Sequence, residues 1–186
     1  MLNVVALNTH VNTQKTLYKE IQVAPHELGP GISGIVKRTL RKQVEGTCQG
    51  EDGYLIVVIG FHDEAGKGRI SPDNGKIMFR IKYDAILLKP YKGEVLDAEV
   101  HAVNAHGFFA HVGPFEHIFV TRYAMPADIQ FSADTRRWVS QDGEIEIYKD
   151  CGVRLRITGI TFKANTIEAV GTIKDHYLGL IMKPGE

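Results

Sequence analysis

Lys92-Gly93-Glu94-Val95, followed by His106-Gly107-Phe108-Phe109-Ala110-His111-Val112, is the stretch that decides the fold. The first segment opens a strand after a Pro-Tyr-Lys-Gly punctuation. The second alternates, with Phe109 and His111 on one side and Phe108, Ala110 and Val112 on the other. His117-Ile118-Phe119-Val120-Thr121-Arg122 follows at hairpin distance. Downstream, Glu144 to Tyr148, Val153-Leu155-Ile157 and Ile167-Ala169-Gly171-Ile173 repeat the strand pattern. Many short strands with regular turns predict a small antiparallel barrel. Residues 125–142 read as polar and irregular.

Upstream the rhythm differs. Ile32, Ile35, Val36 and Leu40 recur at helical spacing, with Lys37, Arg38, Arg41 and Lys42 around the other side. Residues 2–7 and 17–23 read as short strands, with a polar loop from Asn8 to Thr16. Val44 to Gly50 and Tyr54 to Ile59 read as a hairpin turning at Glu51-Asp52-Gly53. The near-continuous apolar run from Tyr54 predicts a strand buried on both faces. Asp63 to Lys76 is a long Gly-containing loop, of the kind that carries function. Ile77, Phe79, Ile81 and Tyr83 alternate with Met78, Arg80 and Lys82 in a strand that runs on to Leu88. The boundary falls between Lys82 and Pro90, giving domains 1–84 and 85–186.

Charge and cysteine content narrow the function. The 22 basic and 22 acidic residues cancel, so little general affinity for phosphate backbones comes from counterion release. Any RNA contact is expected to be local or helped by partners. Cys48 and Cys151 are too few and too distant for a disulfide scaffold or zinc ribbon, and fit a reducing compartment. No segment approaches the roughly 20 apolar residues of a membrane span, and the N-terminus lacks a basic signal-peptide region. No membrane association is expected.

Catalytic patterns are missing. His106, His111 and His117 surround one hairpin, but without HExxH or finger spacing they read as surface histidines rather than metal ligands. Gly66-Lys67-Gly68 lacks the full phosphate-loop run. No catalytic residue, metal or cofactor is expected. Arg136-Arg137-Trp138 reads as a loop anchored by one buried indole, with a partner or RNA contact as the competing reading.

The segment around Gly107 resembles the OB-type RNA-binding module called "S-one" after a ribosomal small-subunit protein. In that module a glycine bends the second strand and neighbouring rings face outward. The resemblance implies RNA contacts from His106, Phe109, His111, Phe119 and Arg122. A core position for Phe109 is the competing reading. The chain departs from the module's pattern at His106, Val120, Asn165 and Glu168.

The resemblance extends further. Val44-Glu45-Gly46-Thr47-Cys48-Gln49-Gly50, Gly66-Lys67-Gly68-Arg69-Ile70, Lys89 to Ala98 and Asp175-His176-Tyr177-Leu178-Gly179-Leu180 are similar to the seventh-largest subunits of RNA polymerase II, in the same order. The counterparts in archaeal polymerase and in polymerase III are similar too. Coverage runs from roughly residue 17 to residue 182; residues 1–16 match poorly. The resemblance implies an α+β, mostly β chain. Its N-terminal domain would be truncated and ribonucleoprotein-like, with a helix on a twisted sheet. Its C-terminal domain would be a five-stranded OB barrel. It further implies a non-catalytic nuclear stalk subunit acting in transcription initiation. Such a subunit pairs with the fourth-largest subunit, contacts nascent single-stranded RNA and docks on the polymerase core. The docking tip maps to Asp63–Asn74, with Gly66, Lys67, Gly68, Arg69 and Ile70 at its centre. The alternative is a free-standing RNA-binding protein in RNA decay or translation.

Overall fold

The computed structural model describes residues 12–62, 67–72 and 75–182. They form two compact units, and the chain passes from one to the other at Lys89/Pro90.

In the first unit, β1 (Asn12–Val23) pairs antiparallel with β4 (Ile77–Leu88) in an unbroken register from Asn12↔Leu88 to Val23↔Ile77. β2 (Tyr54–Phe61) lies on the other side of β4, and the short β3 (Arg69–Ile70) also pairs with β4. The alternation of β4 buries Phe79, Ile81, Tyr83, Ala85 and Leu87 on one face. Against that face sits α1 (Ile32–Val44), through Val36, Leu40 and Val44. Their spacing of four stacks them on one stripe, and each is fully buried. Full burial of such a side chain contributes about 1.5–3 kcal/mol, enough to hold a helix with an uncapped start. Among the helix's basic residues, Lys37 and Arg41 lie over the Phe61 ring, at 5.4 and 5.5 Å.

Three expectations for this unit are corrected. The polar stretch ending at Thr16 is strand from Asn12 onward, because its polar side chains find polar partners: Thr16 Oγ1 donates to Asp84 Oδ1 on β4 at 2.6 Å, and Lys15 Nζ to Asp52 Oδ1 in the turn before β2 at 2.6 Å. Residues 2–11 lie outside the described residues. Val44–Gly50 is not a hairpin strand. The helix runs to Val44, and the segment after it makes a single bridge, Cys48↔Tyr54, before a 3-10 turn at Gly50–Asp52. Gly53 is obligatory here (φ +99°), since a Cβ would stand 2.3 Å from the Leu88 carbonyl oxygen. Finally, β2 is covered on both faces only at its start, where Tyr54 and Leu55 are buried together. Val57 (40% exposed) and Ile59 (51%) face solvent, as befits a strand at the sheet's margin.

The second unit is mostly β. β5 (Val95–Asn104), β6 (Gly107–Val112) and β7 (Phe115–Thr121) form a meander. β11 (Gly152–Phe162) pairs with β5 and with β12 (Ile167–Thr172), and β12 runs parallel to β7. These pairings close a five-stranded barrel, β5-β6-β7-β12-β11. β13 (Gly179–Met182) adds beside β11. Inside, Phe108, Ala110, Ile118, Val120, Val153 and Leu155 are fully buried.

Residues 125–142 are more ordered than their polarity predicts. β8 (Ile129–Ser132), β9 (Arg137–Ser140) and β10 (Glu146–Ile147) form a separate three-stranded sheet. Trp138 anchors it at 4% exposure. Its indole N–H points at the carbonyl oxygens of Asn104 (3.2 Å) and Gly107 (3.4 Å). The indole of this cluster is buried as expected, on a strand rather than in a loop. Arg137 stays outside, bridged to Glu146 at 3.1 Å.

Candidate nucleic-acid interface

Gly107 sets the geometry of the barrel's outer face. Its φ is +152°, and a Cβ there would stand 2.0 Å from the Val120 carbonyl oxygen. Only glycine lets β6 and β7 approach this closely. From that start, strict alternation sends Phe108 and Ala110 inward and Phe109 and His111 outward. Phe109 is half-buried on the outside of the barrel rather than in its core. Its cross-strand partner is Phe119, with ring centroids 4.6 Å apart and planes tilted by 34°. Val170 of β12 stands opposite Phe119 and is exposed.

The expected residues divide into two groups. Phe109, Phe119 and His111 share the outer face. His106 lies in the turn before β6, and its carbonyl oxygen accepts a hydrogen bond from the Arg122 backbone N–H at 2.9 Å. His106 and Arg122 are thereby held together at one end of the same hairpin, both exposed. The Arg122 guanidinium lies 5.3 Å from the centre of the Tyr123 ring, which is 78% exposed.

Two rings on this surface escaped the sequence reading: Tyr123 and, on β5, His101. The His101 ring lies 6.0 Å from Phe109 and 5.9 Å from His111. Burial, the largest influence, together with neighbouring His111 holds its pKa below the usual histidine value. His111 Nε2 stands 3.9 Å from the Glu99 carboxylate. Among the described residues no group of three His, Cys, Asp or Glu side chains is arranged to hold a metal ion. A surface of adjoining, partly exposed rings offers platforms on which bases stack irrespective of sequence.

Of the residues expected to dock, Lys67, Gly68, Arg69 and Ile70 are all exposed, Ile70 at 72%. Gly66 lies outside the described residues. Gly68 passes so close to β4 that a Cβ would meet Ile77 Cγ2 at 2.4 Å. Its neighbour pairs, Arg69↔Met78 and Ile70↔Ile77, tie the arm to the sheet. No described helix is long and apolar enough to cross a membrane.

Two family models match the chain. Residues 19–75 match the SHS2 domain found in the N terminus of Rpb7p/Rpc25p/MJ0397, and residues 89–168 match the S1 RNA binding domain. Curated relatives align over nearly the whole length. DNA-directed RNA polymerase II subunit 7 of Arabidopsis thaliana is 40% identical over 169 residues, covering 90% of this chain and 95% of that protein. The Dictyostelium discoideum subunit is 42% identical, covering 89% and 96%, and that of Saccharomyces cerevisiae 37%, covering 90% and 98%. The chain belongs to the RNA polymerase II subunit 7 family. In this subunit 7 chain the S1 match spans β5, β6, β7 and β11 and ends within β12. Those are the five strands of the closed barrel, so the outward rings belong to the matched module.

Proposed function

We propose that the chain is a non-catalytic stalk subunit of nuclear DNA-directed RNA polymerase II. It pairs with the fourth-largest subunit, docks on the polymerase core through Lys67, Gly68, Arg69 and Ile70, and acts in transcription initiation. The outer barrel face meets emerging single-stranded RNA through Phe109, Phe119 and His111, with His106 and Arg122 at its end. The observation that carries this is the alignment, over about nine-tenths of both chains, with polymerase II subunit 7 from plant, amoeba and yeast. The exposed Ile70, next to Arg69 and three residues after Lys67, supports docking, because a large apolar side chain close to cations suits a partner surface with an apolar centre and acidic rim. The paired Phe109 and Phe119 rings support RNA contact. Net neutrality fits a subunit whose weak RNA grip is reinforced by tethering to a larger assembly. Free-standing action in RNA decay or translation is not favoured, since the matched relatives are polymerase subunits along their full length.

Affinity capture of the tagged chain from cells is the test. The fourth-largest and largest polymerase II subunits are expected together. Ile70→Asp combined with Arg69→Ala should reduce recovery of the largest subunit and spare the fourth. Recovery of neither subunit by the wild-type chain overturns the proposal.

A further inference from the structure

The outer barrel face does not end at the two phenylalanines. Phe119, Phe109, His101 and His111 form one connected track across β7, β6 and β5, with successive centroids 4.6, 6.0 and 5.9 Å apart. Half of the track is hydrocarbon and half can take up a proton. His101 occupies a distinctive position. In the β5–β6 register Val100 pairs with Ala110 and Ala102 with Phe109, so His101 is the extra residue of a β-bulge. Bulges re-aim a side chain and recur beside functional sites. At this one His101 lies on the outer face beside both Phe109 and His111.

The two histidines differ in their surroundings. His111 faces Glu99, its cross-strand partner, which can answer a positive charge. Among the described residues, no carboxylate comes within ion-pair distance of His101. The charged and titratable groups facing His101 are Glu99 on its own strand, His111 on β6, Glu116 and His117 on β7, and Lys149 before β11. Glu116 favours its imidazolium; burial, His111, His117 and Lys149 oppose it. No carboxylate pairs with the ring at close range, and an arriving anion supplies the counter-charge its imidazolium lacks.

We infer that His101, beside His111, takes an RNA phosphate next to the base stacked on Phe109, so that this face grips RNA more tightly when His101 carries a proton. The inference rests on the proposed RNA role of the face. A single strand presents a phosphate next to every base, and the track presents ionisable rings next to apolar ones. With basic and acidic residues in balance, a conditional cation at the platform supplies locally what net charge does not.

The test uses the purified full chain and a short fluorescent oligouridylate, with anisotropy read at constant ionic strength near pH 6 and near pH 8. The wild type is expected to bind about five- to tenfold more tightly at the lower pH, the size of one charge-assisted contact. His101→Phe keeps the stack and removes the proton. Its ratio of affinity near pH 6 to that near pH 8 should fall most of the way to one. Retention of half or more of the wild-type gain by His101→Phe overturns the inference. The RNA role itself fails separately, if Phe109→Ala leaves affinity near pH 8 unchanged.

Discussion

Gly107→Ala is the substitution for which the structure gives the sharpest expectation. The added methyl would stand 2.0 Å from the Val120 carbonyl oxygen and 3.0 Å from Thr121 Cα. Neither is the end of a flexible side chain, so relief requires β6 and β7 to part. Holding a non-glycine residue in that backbone region costs about 1–3 kcal/mol. Overpacking against a fixed backbone adds about 1–3 kcal/mol. A loss of about 2–6 kcal/mol is therefore expected, or a fall in melting temperature of roughly 10–45 °C for a unit of this size. Gly113→Ala is the matched control. Its φ is +55°, but nothing lies within 4 Å of the new Cβ, so only backbone strain of about 1–2 kcal/mol applies. Trp138, the chain's single tryptophan, hydrogen-bonds the Gly107 carbonyl and reports this unit by fluorescence. Melting of the two variants within about 2 °C of each other would refute the claim that close strand approach, rather than backbone conformation, demands glycine here.

Trp138→Phe should keep most of the packing but leave the Asn104 and Gly107 carbonyls without the indole donor, at a cost of about 1–2 kcal/mol; unchanged urea midpoints by circular dichroism would contradict this. In the other unit, hydrogen bonds from Thr16 and His62 hold the Asp84 carboxyl below the usual carboxylate range. Because the folded value is the lower one, that stabilisation is present above the unfolded pKa and is lost as pH falls through the folded value. Thr16→Val should thus be less stable than wild type at neutral pH, with the gap closing below about pH 4; a gap independent of pH speaks against the coupling. Phe119→Ala should weaken oligouridylate binding by about 1–3 kcal/mol, one stack's contribution, and unaltered anisotropy titrations would remove Phe119 from the interface.

The barrel was legible in the sequence wherever one face of a strand is buried. Phe108, Ala110 and Val112 alternate cleanly with Phe109 and His111, and the structure keeps that division. The helix was legible for the same reason. Reading failed where a strand's polar side chains find partners elsewhere, as Thr16 does on β4 and Lys15 in the turn at Asp52, or where an edge strand leaves valine and isoleucine in solvent, as at Val57 and Ile59. It failed again in 125–142, where β8 and β9 depend on the Trp138 anchor more than on periodicity. His101 went unnoticed because Asp97, Glu99 and His101 look like an ordinary solvated face. Its approach to Phe109 and His111 is set by the pairing of β5 with β6, which the sequence reading did not assign.

The parallel pairing of β12 with β7 has a consequence for synthesis. All four rings of the track are translated early, on β5 to β7, yet the far edge of β7 stays bare until Ile167–Thr172 arrive. Until then β7 and β11 both offer unpaired backbone to any passing strand. A message cut short upstream of Ile167 would therefore yield an adhesive fragment, open to runaway self-association, rather than a feebler version of the finished subunit.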